Sequence, residues 1–172
     1  GLFYLVYTDV KRYGRTTVGG SGGVSFRDFH NYLVTSPRID GDWSDPLYLN
    51  SSGFDPSLFH DDDGRKYVVN MLWDHRPGQN RFAGIVLQEC AAGEGKLIGQ
   101  PRLIFKGTSL GLTEGPHLYK RDGYYYLWVS GIDYSHTSIY ISEDPFNFGD
   151  AIVNKIEDTP GHAPEIVSEK GV

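Results

Sequence analysis

The sequence is poor in the features that mark disulfide-stabilised, helical, membrane-spanning or nucleic-acid-binding proteins. Its single cysteine, Cys90, excludes an internal disulfide and is compatible with a reducing compartment. Apolar residues almost never recur with the spacing of an amphipathic helix, and no apolar run approaches the length of a membrane span, so we expect no membrane partner. The net charge is −6 and no cluster of Lys and Arg exceeds two residues, which argues against a nucleic-acid partner.

Aromatic residues and glycine are abundant instead. The chain has 12 Tyr, 9 Phe, 3 Trp and 22 Gly, a composition that favours strands and turns over helices. Aromatic faces also suit sugar rings, but packing within strands explains the same excess. Five short runs are predicted as strands: FYLVYT (3–8), KYVVNMLW (66–73), GIVLQE (84–89), YYYLWVS (124–130) and SIYIS (138–142). The sequence therefore predicts an all-β protein.

Two Asp-Gly pairs, at 63–64 and 122–123, each lie between predicted strands and predict tight hairpin turns. The first pair belongs to HDDDG (60–64), an acidic run that also resembles a calcium-binding loop. A loop of the EF-hand kind needs an acidic residue where Phe59 stands, so the turn is the favoured interpretation.

Three segments fall on a common frame: DPSLFHDDDGRKY from position 55, GPHLYKRDGYYY from 115 and APEIVSEKGV from 163. Their prolines, Pro56, Pro116 and Pro164, are 60 and 48 residues apart, which leaves room for about four strands between them. Four-stranded sheets repeating at this period indicate a β-propeller. Each proline would open the innermost strand of a blade, since a missing N–H is tolerated at the first residue of a strand.

The two ends of the chain follow the same frame. Gly1 aligns with the turn glycines Gly64 and Gly123, and Gly171 is again at a turn position. We therefore expect residues 1–172 to form a single partial propeller domain of about three blades, cut inside a blade at both ends, with the first blade and the C-terminal part absent. A β-sandwich lectin is the competing fold, but it does not predict the proline frame.

The propeller frame brings three polar residues together at one central mouth. Asp55, Glu114 and His162 each lie one or two residues before the proline of their segment. Because unpaired buried charge is costly, such residues are unusual choices for a core. Two carboxyl groups in one pocket raise each other's pKa, and a carboxylic acid kept protonated near neutral pH can serve as a general acid in glycoside hydrolysis. The alternative is that each carboxylate accepts hydrogen bonds from the backbone at a strand start.

Longer stretches of the chain closely resemble glycoside hydrolase family 43, and above all its β-xylosidases, some of which also release α-L-arabinofuranose. The segments that carry the resemblance are NYLVTS, WSDPLYLNSSGFDPSLFHDDDGRKYVVNMLWDHR, GIVLQE, IFKGT and LTEGPHLYKRDGYYYL. The match is dense from Asn31 to Leu127. After Trp128 the stretch WVSGIDYSH departs from the family's acidic, Gly-rich pattern, and GHAPEIV keeps only Gly-His-Ala.

The resemblance implies a five-bladed propeller that acts as an inverting, exo-acting β-xylosidase or α-L-arabinofuranosidase on xylo-oligosaccharides or arabinosyl side chains. Glu114 matches the family's general acid, and Asp55 matches the aspartate that raises the pKa of that acid and orients it. His162 matches a histidine near the propeller axis that in some members holds a calcium ion through water; an ordinary strand-end histidine is the equal alternative. No cofactor is implied as required, and the family's general base matches no residue of this chain.

Two further residues are candidates to line a sugar pocket. Trp73 and His75 lie in NMLWDHR (70–76) at the end of a predicted strand, where an ion pair between neighbouring charged residues is the favoured alternative. His117, three residues beyond Glu114, is interpreted as structural or as supporting the site. The functional alternative to a glycosidase is a non-catalytic propeller that binds glycans or serves as a scaffold.

Overall fold

The computed structural model describes residues 1–15, 24–74, 76, 81–107, 113–131, 136–148 and 152–157. These ranges form strands and contain no helix of the length and apolarity that a membrane crossing requires. The strands are β1 (Phe3–Arg15), β2 (Val24–Ser36), β3 (Leu47–Asn50), β4 (Ser57–His60), β5 (Lys66–Trp73), β6 (Phe82–Ala91), β7 (Lys96–Phe105), β8 (Thr113–Arg121), β9 (Tyr124–Gly131), β10 (His136–Ser142) and β11 (Ile152–Glu157).

The strands form three antiparallel sheets, each built from one continuous stretch of chain. Their orders are β1-β2-β3, β4-β5-β6-β7 and β8-β9-β10-β11. β4 contacts both β1 and β8, so the first strands of the two four-stranded sheets lie side by side. This is the arrangement of consecutive propeller blades with β4 and β8 innermost. The predicted blade repeat is confirmed, and the sandwich alternative, whose Greek-key connections pass between sheets, is wrong.

The core lies between the sheets and is divided by β5. Because strand side chains alternate, Val68 packs toward the first sheet with Leu33 and Leu49, whereas Val69 and Met71 pack toward the third sheet. Both faces of β5 are covered, which explains why its sequence is a nearly continuous apolar run rather than an alternating one.

The two predicted hairpins form, but only one has the tight turn. Asp122 and Gly123 have φ values of 52° and 83° between the paired residues Arg121 and Tyr124, as a type I′ turn requires. At the other hairpin the loop spans residues 61–65 and only its glycine, Gly64, is left-handed, with a φ of 87°. That loop is therefore longer than the predicted two-residue turn.

The longer loop links two neighbouring sheets through Asp61. The Asp61 carboxylate accepts hydrogen bonds from Lys120 Nζ at 2.7 Å and from the Tyr125 hydroxyl at 3.0 Å. Burial opposes ionisation of Asp61, but the bonds from Lys120, from the backbone N–H of Asp62 and from Tyr125 outweigh it, and the pKa of Asp61 is lowered. The acidic run thus carries a structural ion pair, and the described residues contain no group of three acidic, His or Cys side chains that could hold a metal.

Candidate functional site

A bulge interrupts the edge of the second sheet at Asp55. The carbonyl of Phe54 accepts a hydrogen bond from the N–H of Met71 at 3.0 Å, and Ser57 pairs with Val69. Asp55 and the proline after it therefore lie opposite a single residue of β5. Asp55 takes a left-handed φ of 53°, a conformation that aspartate tolerates better than most residues.

The third sheet has a bulge at the equivalent place. Glu114 pairs with Ser130 and His117 with Trp128, so Gly115 and the following proline lie opposite one residue of β9. Gly115 has a φ of 58° and occupies the position that the aspartate holds in the previous sheet. The proline frame read from the sequence therefore corresponds to a repeated backbone bulge at the starts of the innermost strands.

Two hydrogen bonds join these bulges across 60 and 59 residues of sequence. The N–H of Gly115 donates to Asp55 Oδ2 at 3.1 Å, and Ser57 Oγ donates to the carbonyl of Pro116 at 2.7 Å. Glu114, directly before the two bonded residues, is only 8% exposed. The structure thus brings the two predicted carboxylate residues to adjacent strand starts and fixes the backbone on the C-terminal side of Glu114.

The alternative interpretation of Asp55 is realised in this contact, since its carboxylate does accept a backbone hydrogen bond at a strand start. The two interpretations are compatible, because the bonded N–H belongs to the residue that follows Glu114. By holding the peptide unit between Glu114 and Gly115, the Asp55 carboxylate fixes the backbone from which the Glu114 side chain extends.

Trp73 lies at the same end of the second sheet as Asp55. Its backbone N–H donates to the carbonyl of Ser52 at 2.9 Å, and the centroid of its ring is 5.4 Å from that of Phe54 and 5.7 Å from that of Phe29. The indole is only partly buried, so part of it stays open to solvent beside the bulge. Its role in sugar binding stays a prediction.

The structure describes only some of the remaining candidates. The predicted strand-end ion pair is present between Asp74 and Arg76, with Nη2 2.6 Å from Oδ2. His75 and His162 lie outside the described residues, so their roles in sugar and calcium binding stay predictions. His117 stacks on Tyr119 with ring centroids 6.3 Å apart, and its role in supporting the site stays a prediction.

A buried amide network behind the site was not identified from the sequence. Asn31 Nδ2 donates to Asn50 Oδ1 at 2.9 Å and to the carbonyl of Gly53 at 3.1 Å, and Thr8 Oγ1 donates to Asn31 Oδ1 at 2.8 Å. Asn70 Nδ2 donates to the hydroxyl of the serine that precedes Gly53, at 3.0 Å. The network therefore holds the segment that leads into the first bulge from both neighbouring sheets.

Close packing also fixes this segment at Gly53. A Cβ placed on Gly53 would lie 1.9 Å from the carbonyl oxygen of Met71, so no side chain fits there. The sequence did carry a signal for the network, because Asn70 interrupts the apolar run of β5 and Asn31 opens the apolar end of β2. A polar residue inside an otherwise buried strand needs a hydrogen-bonding partner.

Residues 1–164 match the family profile described as glycosyl hydrolases family 43. The chain is 58% identical over 140 residues to a xylosidase/arabinosidase 43B of Humicola insolens, and 54% identical over 140 residues to a β-xylosidase of Bacillus subtilis (strain 168). Each alignment covers 80% of this chain but only 24% and 25% of those relatives.

The solved structures give the same result. The chain superposes on the crystal structure of a xylan β-1,4-xylosidase from Bacillus halodurans C-125 with a TM-score of 0.76 and 52% sequence identity. The alignment covers 90% of this chain and 28% of that protein. The chain thus spans about a quarter of the length of the relatives that it matches.

Proposed function

This chain belongs to glycosyl hydrolases family 43, and on that premise we propose that it is part of a longer enzyme that hydrolyses terminal glycosidic bonds of xylose- or arabinose-containing oligosaccharides. The names of the relatives support this substrate class, since they are a xylosidase/arabinosidase and a β-xylosidase. The sheets of the chain supply the propeller scaffold, and Glu114 with Asp55 supplies the acid half of the site.

The contact between Asp55 and the N–H of Gly115 is the observation that carries this proposal. In hydrolysis Glu114 donates a proton to the glycosidic oxygen as the bond to the anomeric carbon breaks. Donation requires a carboxyl group held in a fixed direction, and Asp55 supplies that constraint one residue away. Asp55 and Glu114 stand at the starts of neighbouring strands, and Glu114 comes directly before the glycine whose N–H Asp55 binds.

The second half of the reaction needs another carboxylate. In an inverting enzyme a general base activates water on the opposite face of the sugar, roughly 6.5–9.5 Å from the acid. We assign this base to no residue of the present chain, and the proposal therefore concerns the whole protein. The calcium ion associated with His162 by resemblance is proposed only as a structural ion.

The test is hydrolysis of nitrophenyl β-D-xyloside, nitrophenyl α-L-arabinofuranoside and xylo-oligosaccharides by the whole protein and its Glu114→Gln variant. We expect turnover of the native protein, and a loss of at least about a hundredfold in the variant toward oligosaccharides, whose leaving groups need protonation. Sugar affinity should be nearly unchanged. Glu94→Gln, at an exposed glutamate in the turn after β6, is the matched control and should retain full turnover.

Two results would contradict the proposal. If Glu114→Gln turned over oligosaccharides as fast as the native protein, Glu114 would not be the acid. If the native whole protein hydrolysed neither glycoside but bound the sugars, and the variant lost only binding, the chain would belong to a glycan-binding propeller.

A further inference from the structure

Asp55, just before β4, and Ser57, at its first position, bind backbone groups of two successive residues of the third sheet. Asp55 and Ser57 are two positions apart, and their side chains bind the N–H of Gly115 and the carbonyl of Pro116, respectively. The bonded groups belong to the first and the second residue after Glu114. The backbone after the proposed acid is therefore held at two successive residues from one neighbouring strand.

The bulge explains why these groups are bound from outside their own sheet. The ladder between β8 and β9 pairs Glu114 and His117 but passes over the two residues between them. Buried backbone groups need hydrogen-bonding partners, and here β4 and the residues leading into it supply them. The bonds from Asp55 and Ser57 thus replace the ladder at the point where the strand is free to change direction.

The contact depends on the hydroxyl group of Ser57 and not only on the size of its side chain. Ser57 is 7% exposed, and a buried hydroxyl is costly unless it is hydrogen-bonded. Alanine would fill nearly the same space without that cost, so packing alone does not call for serine. At 2.7 Å the bond from Ser57 Oγ to the carbonyl of Pro116 is at the usual distance for a hydroxyl donor.

We propose that Ser57 is a positioning residue for Glu114, and that its hydroxyl sets the direction of the acid by holding the Pro116 carbonyl. This inference rests on the proposed function of Glu114 as general acid. Without the Ser57 bond the bulge pivots at Gly115, where no side chain restricts rotation, and the carboxyl group moves relative to the glycosidic oxygen. Small displacements of this kind are costly in catalysis.

Leaving-group chemistry separates this role from a general structural one. A poor leaving group, such as a sugar hydroxyl, needs a proton on the glycosidic oxygen in the transition state, whereas dinitrophenolate departs without one. Misplacing the acid therefore slows the hydrolysis of xylobiose and phenyl xyloside but leaves the hydrolysis of dinitrophenyl xyloside nearly unchanged. A site that is damaged as a whole loses activity on all of these substrates equally.

The experiment compares the native whole protein with Ser57→Ala on phenyl, nitrophenyl and dinitrophenyl β-D-xylosides and on xylobiose. We expect kcat to fall about tenfold on xylobiose, the size of one lost hydrogen bond, and less than about twofold on the dinitrophenyl substrate. KM should stay within about twofold throughout, because binding of the sugar is not affected.

A matched control removes the same kind of bond elsewhere. Ser36 is 1% exposed, and its Oγ lies 2.6 and 2.9 Å from the carbonyl oxygens of Arg38 and Asp42 in the turn after β2, so that its single hydroxyl proton is donated to one of them or shared between them. Within the described residues β2 makes no contact with β8. Ser36→Ala should therefore leave the dependence on leaving group unchanged.

Ser57→Cys provides a second test if Ser57→Ala does not fold, because a thiol has nearly the same shape but is a weak donor. It should show the same selective loss on poor leaving groups. Equal losses on all substrates, or no loss on xylobiose in either variant, would overturn the positioning role while leaving the proposed function intact. Failure of the native protein to hydrolyse any substrate would refute the proposed function, and the inference would fall with it.

Discussion

At Gly115 the backbone adopts a conformation that a side chain resists. Its φ of 58° lies in the left-handed region, where an L-residue with a Cβ costs roughly 1–2 kcal/mol. We expect Gly115→Ala to lower the free energy of unfolding by about that amount and to reduce kcat, because the residue follows Glu114 directly. Chemical denaturation of the whole protein, with kinetics on xylobiose, measures both effects.

Gly93 offers the matched control for this substitution. It lies in the turn after β6 without a left-handed φ, and a Cβ placed on it would meet nothing within 4 Å. Gly93→Ala should be neutral or slightly stabilising, since it only restricts the unfolded chain. If the two alanine variants were equally stable, the left-handed bulge at Gly115 would not exist in solution.

The residues of the site differ in how far the sequence predicted them. The sequence predicts Asp55 and Glu114 because each precedes a proline on a repeated frame. It does not predict Ser57 and Gly115, although they lie on the same frame, because their significance comes from partners 59 and 60 residues away. No local pattern encodes which backbone group faces a given side chain in the next blade.

At the scale of the elements, the hairpin loop at 61–65 fastens one sheet to the next through Asp61. Its side chain is 5% exposed and accepts bonds from Lys120 and Tyr125. We expect Asp61→Asn to lower the free energy of unfolding near neutral pH by about 1–3 kcal/mol, the contribution of hydrogen bonds to a charged group. Thermal and urea unfolding of the whole protein measure the loss.

The pH dependence of this loss follows from the lowered pKa of Asp61. The ionised form is favoured in the folded state, so its stabilisation is complete above the unfolded pKa of about 3.9 and disappears as pH falls through the lower folded value. The difference between native and Asp61→Asn proteins should therefore shrink at strongly acidic pH. A difference that stayed constant down to that range would show that the charge is not what stabilises the loop.

Asp62 is the control for the same interaction. It lies 3.1 Å from the same Lys120 nitrogen but its side chain is 81% exposed. An exposed pair contributes at most about 1 kcal/mol, so Asp62→Asn should cost less than Asp61→Asn. Equal costs would contradict the assignment of the link to the buried carboxylate.

The same loop shows why one predicted turn differs from the structure. Both Asp-Gly pairs predict a two-residue turn, and at Asp122-Gly123 that turn forms. At Asp63-Gly64 the chain instead pairs Asp61 with Arg65 through a backbone bond of 2.9 Å and lengthens the loop. The longer loop lets Asp61 reach Lys120 in the next sheet, so a contact between sheets decides a geometry that local sequence could not.

At the scale of the whole molecule, the order of the sheets was predictable but the connections between them were not. Proline spacing indicated the repeat, and apolar runs indicated the strands, because both depend on short-range periodicity. The amide network at Asn31 depends on side chains of four strands, β1, β2, β3 and β5, meeting the loop after β3 in space. The sequence signals only that a buried amide in β2 must have partners, not that they belong to the segment before Asp55.

That network leads to a prediction about how the first sheet supports the site. Asn31 is fully buried, and its Nδ2 group donates to two oxygens, Asn50 Oδ1 and the carbonyl of Gly53. Asn31→Asp keeps the shape of the side chain but replaces the Nδ2 donor with an oxygen, which then faces the two acceptor oxygens in a buried site. We expect a loss of about 3 kcal/mol in the free energy of unfolding near neutral pH, and reduced turnover because the segment leading to Asp55 is released.

Acidification should partly reverse this defect, which distinguishes it from a packing error. Burial raises the pKa of an isolated carboxyl group, and once protonated the introduced carboxyl group regains one donor toward Asn50 or Gly53. The two causes are separated by measuring unfolding midpoints across pH for Asn31→Asp and for a control, Asn147→Asp. Asn147 is an exposed asparagine after β10. A deficit that is independent of pH, or one shared by Asn147→Asp, would mean that hydrogen-bond donation by Asn31 does not couple the first sheet to the site.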